Sequence, residues 1–192
     1  MNFFSLVSKS RSCRRFHQEP GVDSEFLKYL VDLARITPSA ANLQPLKYIL
    51  SCHSDTNALI YECLGWAGYL KNWQGPIPEE RPTGYIIILG DQKIAKNFDM
   101  DVGIVAQTML LGAYNKGFGG CMLANIRHKQ LTKALNIELH YKILLVLALG
   151  TPKEPIVLES VKPDGDIRYF RDDQERHHVP KRDRDDLIAQ MF

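Results

Sequence analysis

The sequence predicts a mixed α and β protein, one sheet with helices against it, in an α+β or an α/β arrangement. Three observations carry that expectation. GYIIILG (Gly84–Gly90) and KILLVLALG (Lys142–Gly150) are short, nearly continuous apolar runs ending in glycine, as strands buried on both faces do. Phe26, Leu27, Leu30, Val31 and Ala34 recur at helical spacing. Helix-like and strand-like segments then alternate along the chain, which favours layers of helix on sheet.

In order, Asp23 or Ser24 is placed to cap the first helix, which should end before Pro38 because a residue ahead of proline avoids helical angles. KYILSC (Lys47–Cys52) reads as a strand, and SDTNALIYECL as a helix with Ser54 or Asp55 as its cap. Gly84–Gly90 is a central strand. Met100–Lys116 is the longest helix. It is apolar around most of its circumference (Val102, Ile104, Val105, Met109, Leu110), so it belongs in a core or at a subunit interface. Phe118–Ala124 suits a strand, HKQLTKAL a helix, and Lys142–Gly150 a second central strand. Beyond Gly150, 18 of 42 residues are charged and apolar periodicity fades until DDLIAQMF. Residues 151–192 therefore read as an arm lying along something, a partner subunit being one choice.

The 192 residues suit a single domain. A formal net charge of +2 is too slight to argue for nucleic acid. The basic clusters are short, with no aromatic stacking face between them. Four cysteines without a CxxC pair, and no leader-like N-terminus, read as reduced thiols of a soluble cytoplasmic protein. Ile143–Leu149 is the longest apolar run, far short of the roughly 18 residues of a membrane span.

Familiar catalytic machinery is absent. There is no Walker A sequence and no GxSxG elbow. GFGGCM (Gly117–Met122) has the wrong spacing for a dinucleotide fingerprint and follows a helix. His177 and His178 are adjacent, not at metal-ligand spacing, and no metal is expected. Cys52 and His53, as neighbours in a strand, point apart, so Cys52 reads as a buried thiol. No acid, base or nucleophile stands out as catalytic.

Four segments remain. SRSCRRF carries Arg11, Ser12, Arg14 and Arg15, and VPKRDR carries Lys181, Arg182 and Arg184. Guanidinium forks, a hydroxyl and a lysine are what a phosphate monoester requires, though such clusters also occur as solvated surface charge. TPSAANLQP offers Ser39, Asn42 and Gln44, which suit a polyhydroxyl chain or heterocycle edge, or merely a self-bonded turn. GGCMLAN (Gly119–Asn125) has paired glycines that mark close approach, by tight sheet packing in preference to a ligand.

Together these segments resemble the FMN-dependent nitroreductase family. SRSCRRF (Ser10–Phe16) follows its RRSxRxF-like start, and PSAANLQPL (Pro38–Leu46) its PSAxNxQPW-like stretch. DVGIVAQTMLLGA (Asp101–Ala113) matches DxGxxxQxxxLxA, GFGGCM its GxGxC-like strand, and PKRDRDDLI its basic signature near the end. The resemblance implies an α+β, nitroreductase-like mixed sheet flanked by helices, forming a domain-swapped homodimer whose arm, residues 151–192, reaches the partner subunit. It implies FMN as cofactor, and an oxidoreductase that takes hydride from NADH or NADPH. A small aromatic, nitro, quinone or enone acceptor would then receive the reducing equivalents in ping-pong order. By position, Arg11, Ser12 and Arg14 would contact the phosphate, ribityl chain and pyrimidine edge. Ser39, Ala40, Asn42 and Gln44 would line the ring and ribityl chain from the other subunit. Backbone amides at Leu123, Ala124 and Asn125 would face the N5 edge, and Lys181 and Arg182 would close on the phosphate. A cation at the pyrimidine, such as Arg14, would favour the reduced anionic flavin.

Three positions depart from the family pattern: Ser10 replaces its first arginine, Leu46 its tryptophan, and Ala124-Asn125 its Gly-Ser. Trp66–Arg81, with Tyr69, Lys71 and Trp73, is either a lid over the pocket or plain surface packing. Rival readings are a non-catalytic flavin-binding sensor, and a specialised relative such as a reductive dehalogenase.

Overall fold

The structure is a computed structural model and describes all 192 residues. Its centre is β5 (Tyr141–Pro152), whose length lets it pair with three other strands. On one side lies β3 (Gly84–Asp91), followed by β2 (Leu46–Ser51). On the other, β4 (Gly119–Leu123) and the short β1 (Phe16–His17) share successive stretches of β5. Every pairing in this sheet is antiparallel, which decides for α+β.

Period-2 alternation distributes one apolar run to two cores. Ile86 and Ile88 of β3 face α2 (Ser24–Arg35) and α4 (Asp99–Asn115), where they meet Leu27, Leu30 and Met109. Tyr85, Ile87 and Leu89 face the side of α3 (Ser54–Tyr61) and α5 (His128–Ala134), with Ile60 and Leu131. Each of these isoleucines is fully buried, and each contributes about 1.5–3 kcal/mol. That is why the run reads as continuous and not alternating.

The helix termini refine the sequence expectations. The Asp23 carboxylate accepts from Phe26 N–H at 2.7 Å, so Asp23 and not Ser24 caps α2, which ends at Arg35. Neither Ser54 nor Asp55 caps α3: His53 occupies the cap position without a side-chain bond. A short helix missed in the sequence, α1 (Phe3–Lys9), is capped by Asn2 and buries none of its residues. The long helix α4 packs one side against the sheet, while Met100 and Ile104 on the other are exposed. Burial on all sides is therefore not achieved within one chain.

Residues beyond β5 fold back on the chain. There β8 (His177–Lys181) pairs in parallel with β6 (Ile156–Ser160) and in antiparallel with β7 (Phe170–Arg171), before a one-turn α6 (Arg184–Leu187). His178 holds this small sheet: its Nδ1 lies 2.9 Å from Glu159 Oε2 and its Nε2 3.1 Å from Asp172 Oδ2. Arg176 also pairs with Asp172. A ring with a carboxylate at each nitrogen is favoured as imidazolium, so bonding to Glu159 and then Asp172 raises the His178 pKa. A raised folded-state pKa gives stability that is complete below about 6.5 and lost as pH rises through the folded value. The melting-temperature advantage of the wild type over His178→Leu should therefore shrink as pH rises above about 6.5. A constant difference would contradict the charged clasp.

Candidate functional site

The turn from α1 into β1 runs beside β4. Ser12 bridges to Gly120, and Cys13 N–H donates to the Gly120 carbonyl at 3.0 Å. A β-carbon on Gly120 would sit 2.3 Å from the Ala148 carbonyl, and one on Gly119 2.7 Å from Pro152 Cγ. The paired glycines thus serve tight packing, the reading preferred from sequence.

The basic residues of this turn have separate fates. Arg11 donates through Nη2 to the Val7 carbonyl at 2.6 Å and through Nε to the Ser10 carbonyl at 2.7 Å, covering the C-terminal end of α1. Arg15 is drawn away from the cluster. It forks onto Glu80 at 2.5 and 2.8 Å and reaches Glu175 at 2.5 Å, while Lys153 joins Glu80 at 2.9 Å. Arg15 does not line the cavity that its neighbours Arg11, Ser12 and Arg14 share.

Arg14 is held by the arm. Its backbone N–H donates to Glu154 Oε1 at 2.6 Å, its Nη1 lies 3.3 Å from His177 Nε2, and its guanidinium carbon lies 5.0 Å from the Tyr169 ring centre. Its Nε–H is buried and has no hydrogen-bond partner. A buried guanidinium donor without an acceptor is costly, and Arg81 Nε–H is left in the same state elsewhere.

Beside Arg14 lies a cavity of about 330 Å³ lined by Arg11, Ser12, Arg14, Gln107, His177 and Lys181, among others. Four predicted site residues therefore converge. Arg182, one residue past the end of β8, is exposed and does not line it. Leu123 ends β4 and is buried, whereas Ala124 and Asn125 are exposed, with the Asn125 carbonyl accepting from Gly65 N–H at 2.9 Å.

The polar loop is elsewhere. Ser39 and Gln44 line a separate cavity of about 280 Å³ with Tyr48 and Asp101. Ala41, Asn42 and Gln44 all have left-handed backbones, with φ of 48°, 54° and 51°. Each costs on the order of 1 kcal/mol outside glycine. The loop is pinned by Asp101, which accepts from Ala40 N–H at 2.9 Å, and by Ser39 Oγ, which accepts from Gln44 N–H at 3.0 Å. Gln44 Nε2 also donates to Asn42 at 3.2 Å, so within one chain these side chains bond to each other. Both cavities touch α4, the first at Asp101 and Val105 and the second at Gln107 and Leu110, and they share no lining residue. One chain leaves the predicted cradle in two halves.

Trp66–Arg81 packs against the arm. Tyr69 and Tyr169 rings approach to 4.9 Å, and the Arg171 guanidinium lies 4.3 Å from the Trp73 ring centre. Lys71 is exposed. Burial pushes the Cys13 thiol up to about 11 and Cys121 up to about 12, which makes both unreactive. Cys52 is half-buried against the α2/α4 core. No group of His, Cys, Asp and Glu side chains is arranged to hold a metal, and no helix is long and apolar enough to cross a membrane. Sequence reasoning missed Glu154, Tyr169 and His177. Gln107 stood inside the quoted DVGIVAQ motif without being assigned a role.

The profile of the Nitroreductase family matches residues 7–151, which include the basic turn, the polar loop, α4 and β4. The chain belongs to the nitroreductase family. Among similar proteins, Bacillus subtilis MhqN, which bears a provisional NAD(P)H nitroreductase name, is 22% identical over 195 residues, covering 85% of this chain and 93% of that one. The iodotyrosine deiodinase of Thermotoga neapolitana is also 22% identical, over 169 residues, covering 79% of this chain and 89% of that one. A Desulfovibrio desulfuricans protein solved in complex with FMN superposes with a TM-score of 0.72 at 18% identity. It covers 100% of this nitroreductase-family chain and 98% of its own, so the fold likeness extends through the arm.

Proposed function

We propose that this nitroreductase-family protein is an FMN-dependent oxidoreductase whose flavin lies between the two halves of the cradle, brought together by a second copy of the chain. The observation that carries this reading is the convergence of Arg11, Ser12, Arg14 and Lys181 on one cavity. That donor set suits a group combining a phosphate with a heterocycle rich in acceptors. Bound FMN supplies hydride chemistry, accepting two electrons from NADH or NADPH and yielding them to a small nitro, quinone or similar aromatic acceptor.

The chain's own residues bind and orient. Arg11, Ser12 and Lys181 would hold the phosphate, and Arg14 would donate to the ring's polar edge. Backbone amides at Leu123, Ala124 and Asn125 serve the opposite edge. Ser39, Ala40, Asn42 and Gln44 would come from the second copy, a role supported by their absence from the lining of the Arg14 cavity within one chain. The exposed Met100 and Ile104 on α4 suit the same homodimer contact. With flavin supplying the hydride chemistry, no side chain is needed as acid, base or nucleophile.

A second reading, reductive removal of halogen in the same cradle, is favoured by the likeness to the Thermotoga neapolitana deiodinase. The test is a visible spectrum of the purified protein, before and after anaerobic NADH or NADPH, followed by acceptor assays with nitroaromatics, quinones and iodophenols. Yellow protein that bleaches supports the oxidoreductase, and the acceptors then separate the two readings. Yellow protein that neither nucleotide bleaches favours a flavin sensor. Colourless protein that takes up no added FMN overturns the proposal.

A further inference from the structure

All three contacts that fix Arg14 come from residues after 151, where the family profile match ends: Glu154, Tyr169 and His177. His177 is 1% exposed, although it lies in a tail dense in charge. A guanidinium carries only donors and stays protonated at any ordinary pH. The 3.3 Å contact between Arg14 Nη1 and His177 Nε2 therefore uses the imidazole lone pair, and the ring proton resides on Nδ1. That Nδ1 is buried and has no partner.

We propose that His177 is a positioning residue which, as a neutral imidazole protonated on Nδ1, fixes the Arg14 guanidinium in the cavity wall, where it donates to the ligand. The proposal rests on the FMN reading of the cavity. Arg14 would otherwise have rotamer freedom to lose on binding, and the His177 and Tyr169 contacts remove it beforehand. The charged groups around His177 agree with a neutral ring. Burial is the largest influence, Glu154 alone favours the imidazolium, and Arg14, Arg171 and His178 oppose it, leaving the ring pushed down to about 4. His177 is then an acceptor throughout the neutral range. An imidazolium there would set two cations in contact and release Arg14.

Two measurements decide it. Flavin fluorescence titration with FMN compares wild type, His177→Leu and His177→Gln, each checked for its melting temperature. The leucine variant should bind FMN about tenfold more weakly, the effect of losing one hydrogen bond to a charged group. Glutamine, whose side-chain oxygen can accept, should recover affinity to within about threefold of wild type. Independently, histidine nitrogen NMR of the FMN-free protein near neutral pH should show His177 neutral with its proton on Nδ1. Leucine binding as tightly as wild type, or a ring that is charged or protonated on Nε2, overturns the proposal. Should His177→Leu not fold, glutamine against wild type and the NMR tautomer still decide it. Wild type that takes up no FMN overturns the flavin reading itself, and the tautomer then decides the His177–Arg14 contact alone.

Discussion

Glu154→Ala should lower folding stability by about 3–5 kcal/mol, a large fraction of the total for a domain of this size. The Glu154 side chain is 0% exposed, and Oε2 accepts from Arg171 at 2.7 and 3.2 Å while Oε1 accepts from Arg14 N–H at 2.6 Å. Alanine leaves a cavity and, more seriously, a guanidinium 11% exposed whose remaining neighbour is the Trp73 face. A buried charge stripped of its counter-ion costs far more than the intact pair gains. The double change Glu154→Leu with Arg171→Met should therefore recover much of the loss. Urea unfolding of the three proteins measures both quantities. A single-mutant loss under about 1 kcal/mol would mean that the arm contributes little to the folded state.

Arg14→Leu should weaken FMN binding about 100-fold, the effect of roughly 3 kcal/mol of charge-assisted hydrogen bonding. Arg14→Lys should recover only part, because an ammonium cannot present Nε–H and a fork together. His177→Leu should add little further loss in the Arg14→Leu background, since both changes remove one unit. Fluorescence titration of the four proteins closes that cycle. Additive losses would mean that His177 acts on the ligand separately from Arg14. Unchanged FMN affinity in Arg14→Leu would remove the cation from the cradle altogether.

Much of the architecture was legible in the sequence because it depends on local repetition. The apolar run Gly84–Gly90 could only be a strand covered on both faces, and it is, with Ile86 and Ile88 on one side and Ile87 on the other. Asp23 and Pro38 bracketed α2 through short-range backbone chemistry. SRSCRRF and PSAANLQPL marked the two halves of the candidate cradle because both are contiguous. Arg11, Ser12 and Arg14 duly line one cavity, and Ser39 and Gln44 another.

What spacing could not reveal is which charges are paired. Arg14, Arg15 and Lys153 look alike in sequence, yet Arg15 and Lys153 meet at Glu80 while Arg14 alone keeps a free buried donor. The tail of 42 residues, 18 of them charged, reads as an arm lying along something, but Glu154 and His177 are buried within the chain itself. Their burial depends on Arg171 and on Arg14, 140 residues from Glu154 along the chain. The sequence by itself determined α2 to α5, β2 to β5 and the two polar segments, since periodicity and contiguity act between near neighbours. Only the tertiary structure decided which ions are neutralised and which basic residues share one cavity. Electrostatic pairing depends on distance in space, and only the fold sets it.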